Sequence, residues 1–219
     1  MNDAYDDDSG MKKILLVDDH AVVRAGFRQL LEKDNDFEIL EVESAEKACQ
    51  VYEQFQPHAV IMDLVMPGMG GLEGVRHLHA KDNNAKILVL SMREDMAYVN
   101  RATLAGASGY LSKGCGAEEL SKAINTIISG RKYLSENVHN QDGDDALASD
   151  KQKIDGLTER EFEVFCMLAD GQSVVKISTD LHLSPKTVSN HRTRILSKLN
   201  ASSIVEITRL AIRNGLLDA

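Results

Sequence analysis

Three carboxylates are the side chains of this chain best placed to do chemistry. Asp18 and Asp19 follow the short apolar run Lys12–Val17 (KKILLV), and Asp63 follows Ala59–Met62. Short runs rich in Ile, Val and Leu, bounded by polar or turn residues, read as strands buried on both faces. If such strands are parallel, their carboxyl ends share one edge of the sheet, and the three acids converge there. Carboxylates held close together repel, and each raises the pKa of the next unless a cation intervenes. Mg²⁺ meets that need with oxygen ligands and retained waters. It would also stabilise charge developing on an incoming phosphoryl oxygen. Two more strand ends carry complementary groups. Ser91 follows Lys86–Leu90 with a hydroxyl, and Lys113 follows Gly109–Leu111 with an ammonium. Either can bond a phosphoryl oxygen. Tyr110 lies on that last strand. Taken singly, each acid reads as well as a strand end or helix cap, and Tyr110 as a half-buried core aromatic. The joint arrangement is what points to chemistry.

The elements that must position these groups are legible from periodicity. Glu38–Val42 completes a set of five strand-like runs. Between and after them lie the amphipathic stretches Ala21–Glu32, Ala45–Phe55, Leu72–His79, Met96–Ala105 and Ala117–Ile128. Strand and helix alternating in this way call for an α/β fold, a five-stranded parallel sheet with helices on both faces. Ligands of such sheets bind beyond the carboxyl ends of the strands. Residues 1–11 read as a disordered acidic leader and 135–156 as a polar linker. The first domain is then 12–134. From Leu157 to the end, residues 157–219 show no strand pattern. Helices are expected there at about 158–169, 173–181, 185–199 and 203–213.

Composition narrows the classes. Apolar residues make up 43% of the 219, enough for ordinary cores, and without Trp those cores rest on Leu, Ile, Val, Met and Ala. Cys49, Cys115 and Cys166 are odd in number and widely spaced, which speaks against a disulfide framework or zinc site and fits a reducing cytoplasm. The acidic N-terminus is unlike a signal peptide. No stretch is apolar for long enough to suggest a transmembrane helix, so no membrane partner is expected. The net charge is −9, yet between Asp180 and Glu206 there is no acid, only Lys186, Arg192, Arg194 and Lys198 among the permanently charged residues. Local charge decides where a polyanion docks, although such a run also suits a plain solvated helix face.

Residues 12–130 resemble a receiver domain. Asp18-Asp19, Asp63 followed by Met66-Pro67-Gly68, Ser91 and Ala105–Lys113 (AGASGYLSK) carry the likeness. It implies a CheY-like, flavodoxin-like doubly wound sheet. It also implies that Asp63 is the phosphoacceptor for a sensor histidine kinase. Asp18, Asp19, Asp63 and the backbone carbonyl of Val65 would hold Mg²⁺, Ser91 and Tyr110 would form a switch pair, and Lys113 would contact the phosphoryl group. Such domains catalyse only their own phosphorylation and dephosphorylation. Many receivers carry Pro after the lysine; this chain has Gly114.

The C-terminal segment Lys176–Leu199 reads as helix, turn, helix. Ser184 is a good N-cap and Pro185 suits the first helical position. A helical wheel from Val188 puts Ile195, Leu196 and Leu199 on one face and Lys186, Asn190, Thr193, Arg194 and Ser197 on the other. Arg192 falls near the apolar side, where its stem can snorkel. An ordinary bundle helix has the same periodicity. Leu157–Glu161, Asp170-Gly171, Leu183–Val188 and Lys198-Leu199 resemble the LuxR-type helix-turn-helix, with Val174–Ser178 departing from the usual opening of its first helix. The likeness implies that Ser184–Leu199 enters the major groove of double-stranded DNA, with Ser189, Asn190 and Thr193 facing the bases. Lys186, Thr187, Arg194 and Lys198 complete the expected contact set, with Thr187, Arg194 and Lys198 on phosphates. The last helix is expected to form a homodimer through Ile204, Ile207, Thr208 and Ala211, over inverted half-sites.

Both halves in this order are similar to the NarL/FixJ class of response regulators, and Ser197–Asn200, Val205–Thr208 and Leu210–Leu216 to its GacA/UvrY/SirA branch. The expected role is a transcription regulator controlled by phosphorylation. Phosphorylation would act by uncovering the recognition helix or by promoting dimers. A Mg²⁺-dependent phosphohydrolase would also use acids and a lysine at strand ends, but the haloacid-dehalogenase type wants Asp-x-Asp where Asp18-Asp19-His20 stands. An adaptor whose helical domain binds no DNA is the third reading.

Overall fold

A computed structural model describes residues 11–32, 36–92, 96–135, 150 and 153–217. Nearly all of the expected leader, and most of the expected linker, lie outside the described residues. The apolar runs form strands β1 (Lys12–Val17), β2 (Phe37–Val42), β3 (Ala59–Asp63), β4 (Ile87–Ser91) and β5 (Gly109–Ser112), joined by a short β6 (Tyr133–Leu134). They make one sheet in the order β2-β1-β3-β4-β5-β6, every neighbouring pair parallel. The sheet therefore has six strands where five were expected. β6 is two residues long, too short to show a pattern. It is set by Tyr133 N donating to Ser108 O at 3.2 Å and Ser135 N to Tyr110 O at 3.1 Å.

Alternation along the central strands divides the core in two. Leu15, Val17, Val60, Met62, Ile87 and Val89 point to α2 (Ala45–Phe55), α3 (Gly71–Lys81) and α4 (Met96–Ala105). Ile14, Leu16, Ile61, Leu88 and Leu90 point to α1 (Ala21–Glu32) and α5 (Ala117–Ile128). Both faces need apolar side chains, and this is why the strands read as continuous runs rather than alternating ones.

The second unit is helical: α6 (Glu159–Ala169), α7 (Val174–Asp180), α8 (Pro185–Leu199) and α9 (Ile204–Arg213). Each begins on a hydroxyl cap. The Thr158, Ser173, Ser184 and Ser203 oxygens accept the backbone N–H of Glu161, Lys176, Thr187 and Glu206, and Glu161 closes a capping box on Thr158. Phe162, Phe165, Ile177, Leu181, Val188, Ile195, Leu199 and Ile207 form its core, which is contiguous with the α2–α4 side of the receiver core. Ile207 and Ala211 are 0% exposed inside this unit, so neither can serve as the dimer contact expected of it. The hydroxyl of Thr208 is likewise turned inward, onto Ala169 O at 3.1 Å. The outward residues of α9 are Val205, Glu206, Arg209 and Arg213.

The units dock through the start of α6. Arg101 of α4 is buried and donates to the carbonyl oxygens of Leu157 and Ile154 and to Glu159 Oε2, with its guanidinium 3.9 Å from the ring centroid of Phe162. Tyr98 meets the same ring edge-on at 4.9 Å. Arg76 of α3 reaches Glu159 Oε1 at 3.3 Å.

One glycine fixes the join between β3 and α3. A Cβ at Gly71 would lie 1.8 Å from the carbonyl oxygen of Asp63, a backbone atom that cannot swing away. Gly71→Ala is therefore expected to cost at least the ~1–3 kcal/mol typical of overpacking. Urea denaturation followed on the sheet-containing unit measures this; an unchanged midpoint would contradict the close approach.

Candidate functional site

The sheet reverses its order between β1 and β3, and the register there pairs Val17 with Met62. Asp18 and Asp63, one residue further on, are thereby brought side by side at the crevice where doubly wound sheets bind ligands. Ligand oxygens of Asp18, Asp19 and Asp63, with a ring nitrogen of His20, all lie within 4.8 Å of one another. Asp18 is 2% exposed and Asp63 5%. The Lys113 ammonium, arriving from the end of β5, joins them at 2.7 Å from Asp18 Oδ2 and 2.8 Å from Asp63 Oδ2. The turn that delivers it is tied by Lys113 N to Ser91 O at 2.8 Å and by Cys115 N to Ser112 O at 3.1 Å, with Gly114 between them.

Charge is not balanced in this nest. Burial pushes the Asp63 carboxyl up to about 6; Lys113 opposes the rise and Asp18 adds to it. For Lys113, burial works to lower the ammonium pKa, but Asp63 and Asp18 outweigh it and the net shift is upward. Asp19 Oδ1 is buried without an aligned donor, although His20 Nδ1 lies 2.9 Å away. Hard oxygen donors, surplus negative charge and an orphaned buried oxygen suit a small divalent cation.

The other expected groups surround this centre. Val65 donates its amide N–H to Asp63 Oδ1 at 3.4 Å. Ser91 is buried at the end of β4, beside Asp63's strand. Tyr110 is buried in the core, paired in register with Val89, two positions before Ser91. Two groups were not anticipated. His20 accompanies the acids, and Arg24, four residues on along α1, donates to the Asp18 carbonyl. That helical spacing was a usable signal.

On α8 the expected contact surface is open in part. Lys186, Ser189, Asn190, Thr193 and Arg194 are exposed, as is Arg192, while Val188, Ile195 and Leu199 face the core. Thr187 is half-buried and shares a 2.8 Å hydroxyl contact with Ser184. Lys198 is committed elsewhere: it lies 2.6 Å from the buried Glu161 and donates to Gly156 O. Its side chain is nevertheless exposed, so the ammonium compensates the Glu161 carboxylate, which also accepts the Thr158 N–H, while remaining at the surface. The receiver docks on α6, and the outward side chains of α8 stay uncovered.

A parallel sheet with an acid pocket at its reversal point, followed by a capped helix-turn-helix, defines a two-part regulator. Comparison with known proteins agrees. Residues 14–125 match the response regulator receiver domain, and residues 155–211 match the bacterial regulatory proteins of the luxR family. The response regulator UvrY of Escherichia coli strain K12 is 38% identical over 212 residues, 95% of this chain and 97% of that protein. GacA of Pseudomonas protegens is 37% identical over 211 residues, 95% of this chain and 99% of that protein. A crystal structure of a LuxR-family two-component response regulator from Aurantimonas shares 38% identity with a TM-score of 0.57, covering 59% of this chain and 93% of that one. The chain belongs to the response regulators that join a receiver to a LuxR-type DNA-binding domain and regulate transcription.

The raised Asp63 pKa has a consequence for stability. An acid held at about 6 in the fold and at an ordinary value when unfolded stabilises the fold only while protonated. That contribution is complete below about pH 4 and is lost as pH rises through about 6. Asp63→Asn, which cannot ionise, should be more stable than wild type at neutral pH by on the order of 1–3 kcal/mol. The gain should vanish under acid conditions. Thermal unfolding without divalent cation checks both ends; a gain of equal size at acid pH would remove the electrostatic cause.

Proposed function

We propose that Asp63 accepts a phosphoryl group from the phosphohistidine of a sensor histidine kinase, and that this event controls DNA binding by α8. The observation that supports it is the placement of Asp63, Asp18 and Lys113 within salt-bridge distance at the reversal point of the sheet. In the transfer, a carboxylate oxygen of Asp63 attacks phosphorus, the phosphorus–nitrogen bond breaks, and an acyl phosphate forms. Lys113 is placed to pair with the phosphoryl oxygens. Ser91 stands at the neighbouring strand end as a hydroxyl donor, and Tyr110 is the aromatic whose packing follows Ser91. Asp18, Asp19, Asp63 and the Val65 carbonyl would hold Mg²⁺, which when bound supplies positive charge to the transferring group. The chemistry is confined to phosphorylation and dephosphorylation of Asp63 itself.

The DNA reading rests on exposed Lys186, Ser189, Asn190, Thr193 and Arg194 along one side of α8, with Thr187 at its start. Asn190 is the candidate for a bidentate bond to adenine, and Arg194 the candidate for a phosphate. Two copies pair over inverted half-sites through the outward side of α9, where Val205 and Arg209 are exposed. Among the described residues no helix is long and apolar enough to cross a membrane, and the proposed place of action is the cytoplasm.

Acetyl phosphate with Mg²⁺ should label the wild-type chain and leave Asp63→Asn unlabelled; label surviving that change would move the acceptor elsewhere. Asn190→Ala should relax preference at one base pair, losing roughly 1–3 kcal/mol of discrimination. Binding titrations on duplexes varied at single positions measure this, and an equal loss on every duplex would make Asn190 a backbone contact.

A further inference from the structure

The loop that leaves Asp63 is held by both domains. Residues 64–70 run from the end of β3 into α3. On the receiver side, Glu46 of α2 accepts the Met69 N–H at 2.7 Å. On the other side the holding groups come from α6 of the DNA-binding domain. Arg160 Nη1 donates to Met66 O at 3.3 Å and to Glu163 Oε2 at 2.6 Å, while Nη2 donates to Leu181 O at 2.9 Å. Glu163 presses on Gly70 so closely that a Cβ there would lie 2.7 Å from its Oε1. Met66 is the residue after Val65, and Gly70 precedes the glycine packed on the Asp63 carbonyl.

Glu163 is 4% exposed and is not part of the acid pocket. Its carboxyl is pushed up to about 7, chiefly by burial; Arg160 resists, and Glu159 and Asp63 add to the rise. The Asp63 charge is thus felt at Glu163. Two further ionisable groups, Glu46 behind the same loop and His191 of α8, feel the charge of Arg160.

We propose that Glu163 and Arg160 are positioning residues for the phosphorylation site, and that negative charge on Glu163 opposes phosphorylation of Asp63. The inference rests on Asp63 being the acceptor. An aspartyl phosphate carries about one more negative charge than the carboxylate. A buried carboxylate facing that charge across one short loop must take up a proton or leave the interior. Coupling between two sites is reciprocal for binding free energies. What the phosphate does to the docked α6, the docked α6 does to the phosphate.

The test uses the full-length chain, labelled by acetyl phosphate and Mg²⁺ from about pH 5.5 to about pH 8, around the ordinary carboxylate-to-histidine range. Glu163→Gln keeps size and an acceptor for Arg160 but cannot ionise. The ratio of its labelling rate to that of wild type cancels the titration of Asp63. That ratio should be near one at the acid end, where Glu163 is protonated, and rise to about fivefold or more at the alkaline end, the usual size of an allosteric coupling. Arg101→Ala loosens the same docking from α4 without touching the loop, and should show the same rise. A ratio flat across pH for both variants overturns the proposal, because a merely structural effect would not follow the protonation of Glu163. An Asp63→Asn control that still takes label brings down the acceptor assignment instead, and the proposal with it.

Discussion

Two buried carboxylates share one ammonium, and most of the architecture exists to keep them in that position. Asp18 and Asp63 are nearly inaccessible, and Lys113 spans them at 2.7 and 2.8 Å. Burying charge is expensive unless it is paired, and one cation for these two anions, with Asp19 beside them, leaves a deficit. Such a deficit suits the divalent ion and the phosphoryl group proposed for the pocket. The sheet contributes the means. Parallel strands with apolar side chains on both faces form a rigid slab, and their ends are the only place in it where polar groups can collect. The reversal between β1 and β3 brings two of those ends together.

The second domain is not a passenger on that slab. The Arg101 guanidinium faces carbonyl oxygens of residues 154 and 157, a carboxylate of α6 and the face of Phe162, all from beyond the receiver. Arg160 returns the contact by donating to the loop that follows Asp63. The docking leaves the outward residues of α8 exposed. On the proposed reading, phosphorylation need not uncover those side chains and would act instead on where α6 sits.

Much of this was legible in the chain. The five main strands and the helices α1–α9 described above fall within a residue or two of where periodicity put them, because runs buried on both faces and amphipathic stretches leave strong local patterns. The acid pocket was legible too, since Asp18, Asp63, Ser91 and Lys113 each stand at the end of a strand that the pattern marks. β6 left no pattern because two residues are too few to show one. Ile207 and Ala211 were misread as dimer contacts because the amphipathic face of α9 is turned inward, onto α6. Lys198 looked free because Glu161, its partner, lies 37 residues earlier and is recognisable only as a capping residue. Contacts of that range follow from tertiary packing, which a local window does not contain.

Helix α6 makes the same point in a stronger form. Every residue from Glu161 to Ala169 is buried, with two glutamates among them. A helix that is buried all round belongs to the middle of something larger than a four-helix unit. Its remaining cover is the receiver: Tyr98 and Arg101 on Phe162, and Gly70 against Glu163. Undocking would expose an aromatic ring and also release a carboxylate from a site that holds its proton. The apolar part favours docking at any pH, whereas the ionic part depends on the charges at Glu163 and Asp63. Opposing contributions of this kind give a two-state element that a single added charge can bias, and they place that element between the acid pocket and the helix-turn-helix.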